Sequence, residues 1–260
     1  MTTRHTITHA DEIYVGNAYK DGYSPDGRRG IKMTHLYLHK FRSTADAPVI
    51  AADPNGIFDD VSATLLKTTG LNWVNLATGA LVSAGSTIIN FDVPRNVVVT
   101  TCKAASGAIF KFEGYDQYGN AMAEAITVSG GGTFNSGHKC FKSITNIYCT
   151  AAANLAATGI TIGTGNRLGL PFHLQTVDQV VSVAVNGIVN TSGATGAYAI
   201  HIGASYATTI TSSGKQPDVR GDILFTTPAP DGTLQFTALI EVDHTTTRKA
   251  FGPPQASAAT

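Results

Sequence analysis

Glutamate is nearly missing from this chain. Among 260 residues it occurs only at Glu12, Glu113, Glu124 and Glu241, and the rest of the 18 acidic residues are Asp. Scarce Glu beside abundant Thr, Val, Ile and Gly disfavours long helices and suits strands joined by tight turns. Charge of either sign is also scarce, at 14 % of residues against about 25 % in ordinary soluble domains. Lys plus Arg balances Asp plus Glu at 18 each. Such a chain has no net field to draw in a phosphate backbone or anionic lipid, which argues against nucleic acid and membrane as partners. Disorder is excluded by the opposite feature, 43 % hydrophobic residues without net charge, a composition that collapses into cores. Cysteine is limited to Cys102, Cys140 and Cys149, with no CxxC or Cys/His cluster, so structural zinc is not expected. Cys140 and Cys149 bracket one strand-like run on opposite faces, so buried free thiols in a reducing cytoplasm are the simplest expectation. No apolar stretch follows Met1-Thr2-Thr3-Arg4-His5, and no signal peptide is expected. The two long uncharged stretches, between Lys142 and Arg167 and between Asp178 and Lys215, are broken by Asn, Gly, Ser and Thr. Neither suits a bilayer span.

What is present is a series of strand signals at roughly ten-residue spacing from Ser86 onward, the pattern of a sandwich or barrel. Thr87 to Asp92 and Asn96 to Thr100 are separated by Pro94. Ala108 to Glu113 alternates, with Phe110 and Phe112 on one face, and ends in the turn Asp116-Gln117-Tyr118-Gly119-Asn120. Ala125 to Val128 follows as its hairpin partner. Further strands are expected over Phe141–Tyr148, Ile160–Ile162, Gln179–Val185, Tyr198–Ile202, Ile223–Thr226 and Gln235–Val242. In the last of these Phe236, Ala238, Ile240 and Val242 share a face. Val185-Asn186-Gly187-Ile188 is a type I′ hairpin signal. The one helix candidate is Asp59 to Lys67, with acids at its start and Gly70 to end it.

The expected fold is all-β, one or two antiparallel β-sandwiches with short turns. An extended N-terminal arm spans residues 1–47, the body spans 48–250 with a possible subdomain boundary near 172–178, and 251–260 form a loose tail. The arm holds four of the eight histidines and a basic turn around Arg28 and Arg29. It has too little apolar surface for a core of its own. Within it, Thr34 to His39 puts His35, Tyr37 and His39 on one face and Leu36 and Leu38 on the other.

Chemistry-bearing patterns are few. Asp53-Pro54-Asn55-Gly56-Ile57-Phe58-Asp59-Asp60 places oxygen donors before a Gly as a calcium loop does, but the closing acids are wrongly spaced and a turn is the better reading. His35 and His39, four positions apart on a strand, lie about 13 Å apart, too far to share one ion. Gly-x-Ser-x-Gly is absent, and Ser106, Ser143 and Ser182 sit in plain strand or turn surroundings. Nothing points to a carboxylate pair for glycoside cleavage. Gly163-Thr164-Gly165-Asn166-Arg167-Leu168-Gly169 departs from the dinucleotide fingerprint and reads as a tight turn between strands. Arg220-Gly221-Asp222 spells an adhesion tripeptide but reads as an ordinary strand entry. No catalytic residue, cofactor or metal is expected. The more telling signal is the uncharged stretch after Asp178. A solution monomer normally marks outward faces and edges with Lys or Glu, so bare strands point toward surfaces covered by another subunit.

Phe91-Asp92-Val93-Pro94-Arg95-Asn96-Val97-Val98-Val99-Thr100, the Ile109 to Gly114 strand, Tyr115 to Asn120, Glu124 to Ile126, Lys139 to Ile147 and Ile160 to Pro171 together resemble small structural proteins of tailed bacteriophages. Asn75 to Leu81, Arg220 to Asp222 and Ala229 to Thr233 fit the same pattern, so the resemblance covers roughly residues 70 to 245. It implies a virion component, most similar to a capsid decoration or cement protein on the capsid exterior. The implied partners are the major capsid protein and further copies of the chain as a homotrimer or homodimer. A head-fibre or tail receptor- or carbohydrate-binding module is the alternative. Aromatics and Arg anchor interfaces, so Tyr14, Tyr19, Tyr23, Arg28, Arg29, Tyr37 and Phe41 are the expected contact residues.

Overall fold

Alternating apolar residues set the strands, and long-range pairing decides where each strand goes. The computed structural model describes residues 34–42, 47–61, 88–101, 108–128, 134–151, 160–171, 174, 177–189, 197–201 and 221–243. Among them the chain is strand and turn, with a short 3-10 turn at Val177–Gln179 and no α-helix. In chain order the strands are β1 (Thr34–Phe41), β2 (Phe58–Val61), β3 (Ile89–Thr101), β4 (Ile109–Tyr115), β5 (Ala121–Thr127) and β6 (Phe134–Ala151). They continue with β7 (Ile160–Gly169), β8 (Val180–Val185), β9 (Ile188–Val189), β10 (Ala197–His201), β11 (Asp222–Thr227) and β12 (Phe236–Asp243). All pairings are antiparallel. The larger sheet runs β10-β11-β7-β3-β6-β4-β5, with β2 added on β7, and the smaller runs β1-β12-β8-β9. The fold is all-β and sandwich-like, as the composition predicts.

Two apolar clusters fill it. The first lies within the larger sheet and centres on Phe58, Phe91, Phe110, Phe112, Phe141 and Ile162. The second lies between the sheets and joins Phe41, Val183, Phe236 and Ile240 of the smaller to Leu168 and Phe225 of the larger. Phe225 and Phe236 meet at 4.5 Å between ring centroids, and Phe41 stands edge-on to Phe225 at 6.1 Å. Each such buried side chain contributes about 1.5–3 kcal/mol. The chain crosses to the smaller sheet between β7 and β8, near residues 172–178, but returns to the larger for β10 and β11. The sheets thus exchange strands, and the second cluster belongs to both.

Local signals behave as expected where turns are short. Asn186 and Gly187 have φ of 50° and 77°, the doubly positive geometry of a type I′ turn, and they join β8 to β9. In the Asp116 turn the carboxylate accepts N–H groups from Tyr118 and Asn120 at 2.8 and 2.9 Å. Phe110 and Phe112, and Phe236, Ala238 and Ile240, are buried in alternation. Cys140 and Cys149 are buried free thiols; Cys102 lies outside the described residues.

Three expectations are corrected. The start of the proposed helix is a strand: β2 pairs with β7, with Phe58 opposite Ile162, because Ile57 and Phe58 are buried in the first cluster. Residues 62–70 lie outside the description. The two strands expected on either side of Pro94 are one strand, β3, bent at Pro94 by extra residues opposite β6. The glycine-rich run at Gly163 is not a turn but part of β7. Its glycines permit close approach, since a Cβ on Gly163 would fall 1.9 Å from the Asp53 carbonyl. The strand-like piece read at Thr34 to His39 forms β1, paired from Thr34 opposite Asp243 to Phe41 opposite Phe236. The segment from Asp53, read as a turn rather than a calcium loop, is a turn closed by the Gly56 N–H on the Asp53 carbonyl, and the Asp53 N–H donates to Thr164 Oγ1.

Candidate functional site

The middle of the larger sheet is irregular on both flanks of one residue. Opposite Asn96, β6 carries extra residues between Ser136 and Cys140, and β7 carries extra residues between Thr164 and Leu168. Bulges of this kind free backbone groups from the ladder, and buried backbone groups need partners. The Asn96 amide supplies them on both sides. Its Nδ2 donates to Ser136 Oγ at 2.8 Å and to the Gly137 carbonyl at 3.3 Å, and its Oδ1 accepts the Arg167 N–H at 3.1 Å. Glu124 reaches the β6 bulge from β5. Its carboxylate accepts the N–H groups of His138 at 2.6 Å and Lys139 at 3.2 Å, while Lys139 Nζ donates to the Ala123 carbonyl at 2.8 Å. Burial pushes the Glu124 carboxyl up to about 7, against the downward pull of these N–H donors and of Lys139.

Two further charged clusters flank this centre. Arg95 is 1 % exposed and forks onto Asp92 through Nε at 2.7 Å and Nη2 at 2.9 Å. It also donates to the carbonyl of Ile50, whose N–H returns to Asp92 at 2.9 Å. The pair thereby fastens the segment around Ile50 to β3. On the other side, fully buried Asp222 of β11 accepts Arg167 of β7 at 3.3 Å and lies 3.2 Å from His201 Nδ1 of β10. Arg167 Nη1 is also 2.9 Å from that same nitrogen. Nδ1 can accept from Arg167 or donate to Asp222, so its proton decides which neighbour it serves. Cys140 sits among these groups, where burial foremost and the Asp222 charge next push its thiol well up. A thiol so held is a poor nucleophile. These side chains brace backbone and hold protons. Among the described residues no group of three or more His, Cys, Asp and Glu could hold a metal ion.

The smaller sheet has the opposite character on its outer face. Leu36, Leu38 and Lys40 alternate with the inward Tyr37, His39 and Phe41, and pairing sets Leu38 beside Leu239 and Leu36 beside Glu241. Across β8 and β9 the surface continues through Val181, Ser182, Ala184 and Val189. Val181 and Val189 are 51 and 55 % exposed, and Leu38 also faces solvent; Ile188, opposite the inward Val185, lies on the other side of β9. Among the residues whose side chains are described, Lys40 and Glu241 are the charged groups on this face. Neither makes an ion pair with the described residues.

Of the expected contact residues, Tyr14, Tyr19, Tyr23, Arg28 and Arg29 lie outside the described residues. Tyr37 and Phe41 are both on β1 and turn inward: Phe41 is 2 % exposed and Tyr37 packs on the same cluster. Phe41 is therefore unavailable to a partner, because its ring closes the chain's own core. Sequence reasoning passed over the Leu36 and Leu38 side of the same strand, although the alternation had separated it. It also passed over Asn96, Glu124 and Asp222, whose importance comes from bulges that strand pairing creates. Comparison with protein-family models, curated proteins and solved structures returns no match.

Proposed function

We propose that this chain is a non-enzymatic structural protein of a tailed-phage virion, lying on the capsid exterior across junctions between major capsid subunits. The observation that carries the reading is the outer face of the smaller sheet, where Leu38, Val181 and Val189 stand exposed with little charge among the described side chains around them. Contiguous bare apolar surface of this kind marks interaction sites. The buried polar groups support the same reading, since Asn96, Glu124 and Arg95 are committed to holding backbone. The residue pattern from about 70 to 245 supplies the virion context. A decoration protein needs contact area repeated over a fixed lattice, where avidity adds to modest single contacts. Labelled antibody on intact virions tests the assignment: even labelling of heads is expected. Label confined to the tail overturns it in favour of a receptor- or carbohydrate-binding module. The arm is tested by deleting residues 2–33, which spares β1, and asking whether the protein still adds to bare capsids. Loss of addition is expected.

A further inference from the structure

We infer that the outer face of the smaller sheet is covered by a second copy of this chain, packed face to face across a two-fold axis running across the strands. The inference rests on the face being a covered surface, not on its being near a capsid. Self-complementarity is the argument. At the middle of the face Leu38 lies beside Leu239, with Ser182 opposite Leu239 on β8 and the extra residue Val181 adjoining it. Among the residues whose side chains are described, a cation and an anion stand at opposite ends: Lys40 is opposite Thr237, and Glu241 lies four residues further along β12, or about 13 Å away. A two-fold axis across the strands reverses strand direction while keeping β1 over β1 and β12 over β12. Lys40 of each copy then lies one strand over from Glu241 of the other, within reach of the long Lys side chain. The same operation brings the leucines of the two faces together. A two-fold along the strands would instead leave each Lys40 at the same end as its mate, with no acid opposite it.

Size sets the expected strength. Strands of eight, eight, six and two residues, at about 3.4 Å per residue and about 4.8 Å spacing, cover about 390 Å² per copy. The pair then buries about 800 Å², below the roughly 1,200 Å² at which stable specific contacts begin, so the dimer is weak in dilute solution and tight only when held on a lattice. The test is sedimentation equilibrium of the full chain, without capsids, up to about 100 µM. A species of twice 27.1 kDa is expected, and L38D or V181D should return it to monomer with an unchanged β circular dichroism spectrum. K40E should raise the dissociation constant roughly three- to tenfold, the scale of exposed ion pairs, and K40E/E241K should restore it. A monomeric wild type, or a dimer indifferent to L38D and V181D, overturns the inference. So does failure of the double reversal to recover what K40E loses. None of these results depends on where the protein sits in a virion, which the antibody experiment decides separately.

Discussion

The two sheets treat polarity in opposite ways. The larger sheet keeps its charges inside: Arg95, Glu124 and Asp222 are buried, the first two bonded to crossing or bulged backbone and the third to the side chains of Arg167 and His201. The smaller sheet has an inner face of Phe41, Val183, Phe236, Ala238 and Ile240 and an outer face left largely apolar. A regular ladder satisfies its own backbone, and among the described residues the smaller sheet departs from one only by a single extra residue, Val181 on β8, so it has little need of buried polar side chains. A sheet bent on both flanks of one strand does need them. Irregularity, more than size, accounts for where the buried charge is.

Breaking the Asp92–Arg95 fork should have the largest effect. R95M leaves a buried carboxylate without its partner, and we expect a loss of about 3–5 kcal/mol in urea unfolding. D92N/R95M should recover part of that loss, because no uncompensated charge remains. If the single and double variants are equally unstable, the fork matters for packing and not for charge.

The contrast also appears in pH dependence. Glu124 ionises near 4.5 in the unfolded chain and near 7 in the fold. Between those values the folded chain holds more protons, so stability is fully present below 4.5 and falls as pH rises toward 7, by up to about 3 kcal/mol. E124Q should remove this slope. On the smaller sheet, His39 stands edge-on to Phe41 at 4.4 Å. Burial, reinforced by the Arg42 charge, pulls it down from 6.5 to about 4. Here the unfolded chain holds more protons, so stability is lost as pH falls from 6.5 toward 4, by about 1–2 kcal/mol for a ring only partly enclosed. H39F should flatten that limb alone. Thermal melts from pH 4 to 8 on both variants check the pair, and a shared slope would show that the sheets do not titrate independently.

The smallest effect is expected at the β8–β9 turn. Gly187 has φ of 77°, so G187A should cost about 1 kcal/mol while leaving the larger sheet's Glu124 slope untouched.

Much of this architecture was legible because alternation is local. Phe110 with Phe112, and Phe236 with Ala238 and Ile240, declare their buried face within a few residues, as does the Asn186-Gly187 turn. The bulges opposite Asn96 were not legible, since a bulge is a mismatch between two strands and neither strand contains it alone. Gly163 and Gly165 looked like turn residues for the same reason: the Asp53 and Asn96 groups that crowd them come from distant segments. The aromatics of β1 suggested a contact with another molecule. Which side of β1 faces outward is decided by β12, some 200 residues later in the chain.

That last pairing also governs how the protein is made. β1 emerges from the ribosome about 200 residues before β12, its partner in the smaller sheet, and waits for it. The strands of the first cluster, β2 through β7, all precede residue 170 and can assemble while synthesis continues, as vectorial folding favours. β8 can pair with β9 before then, but β1 and β8 are joined only through β12. β12 is thus the clasp of the fold, and a chain truncated before Phe236 retains every described strand of the larger sheet while leaving β1 without its mate.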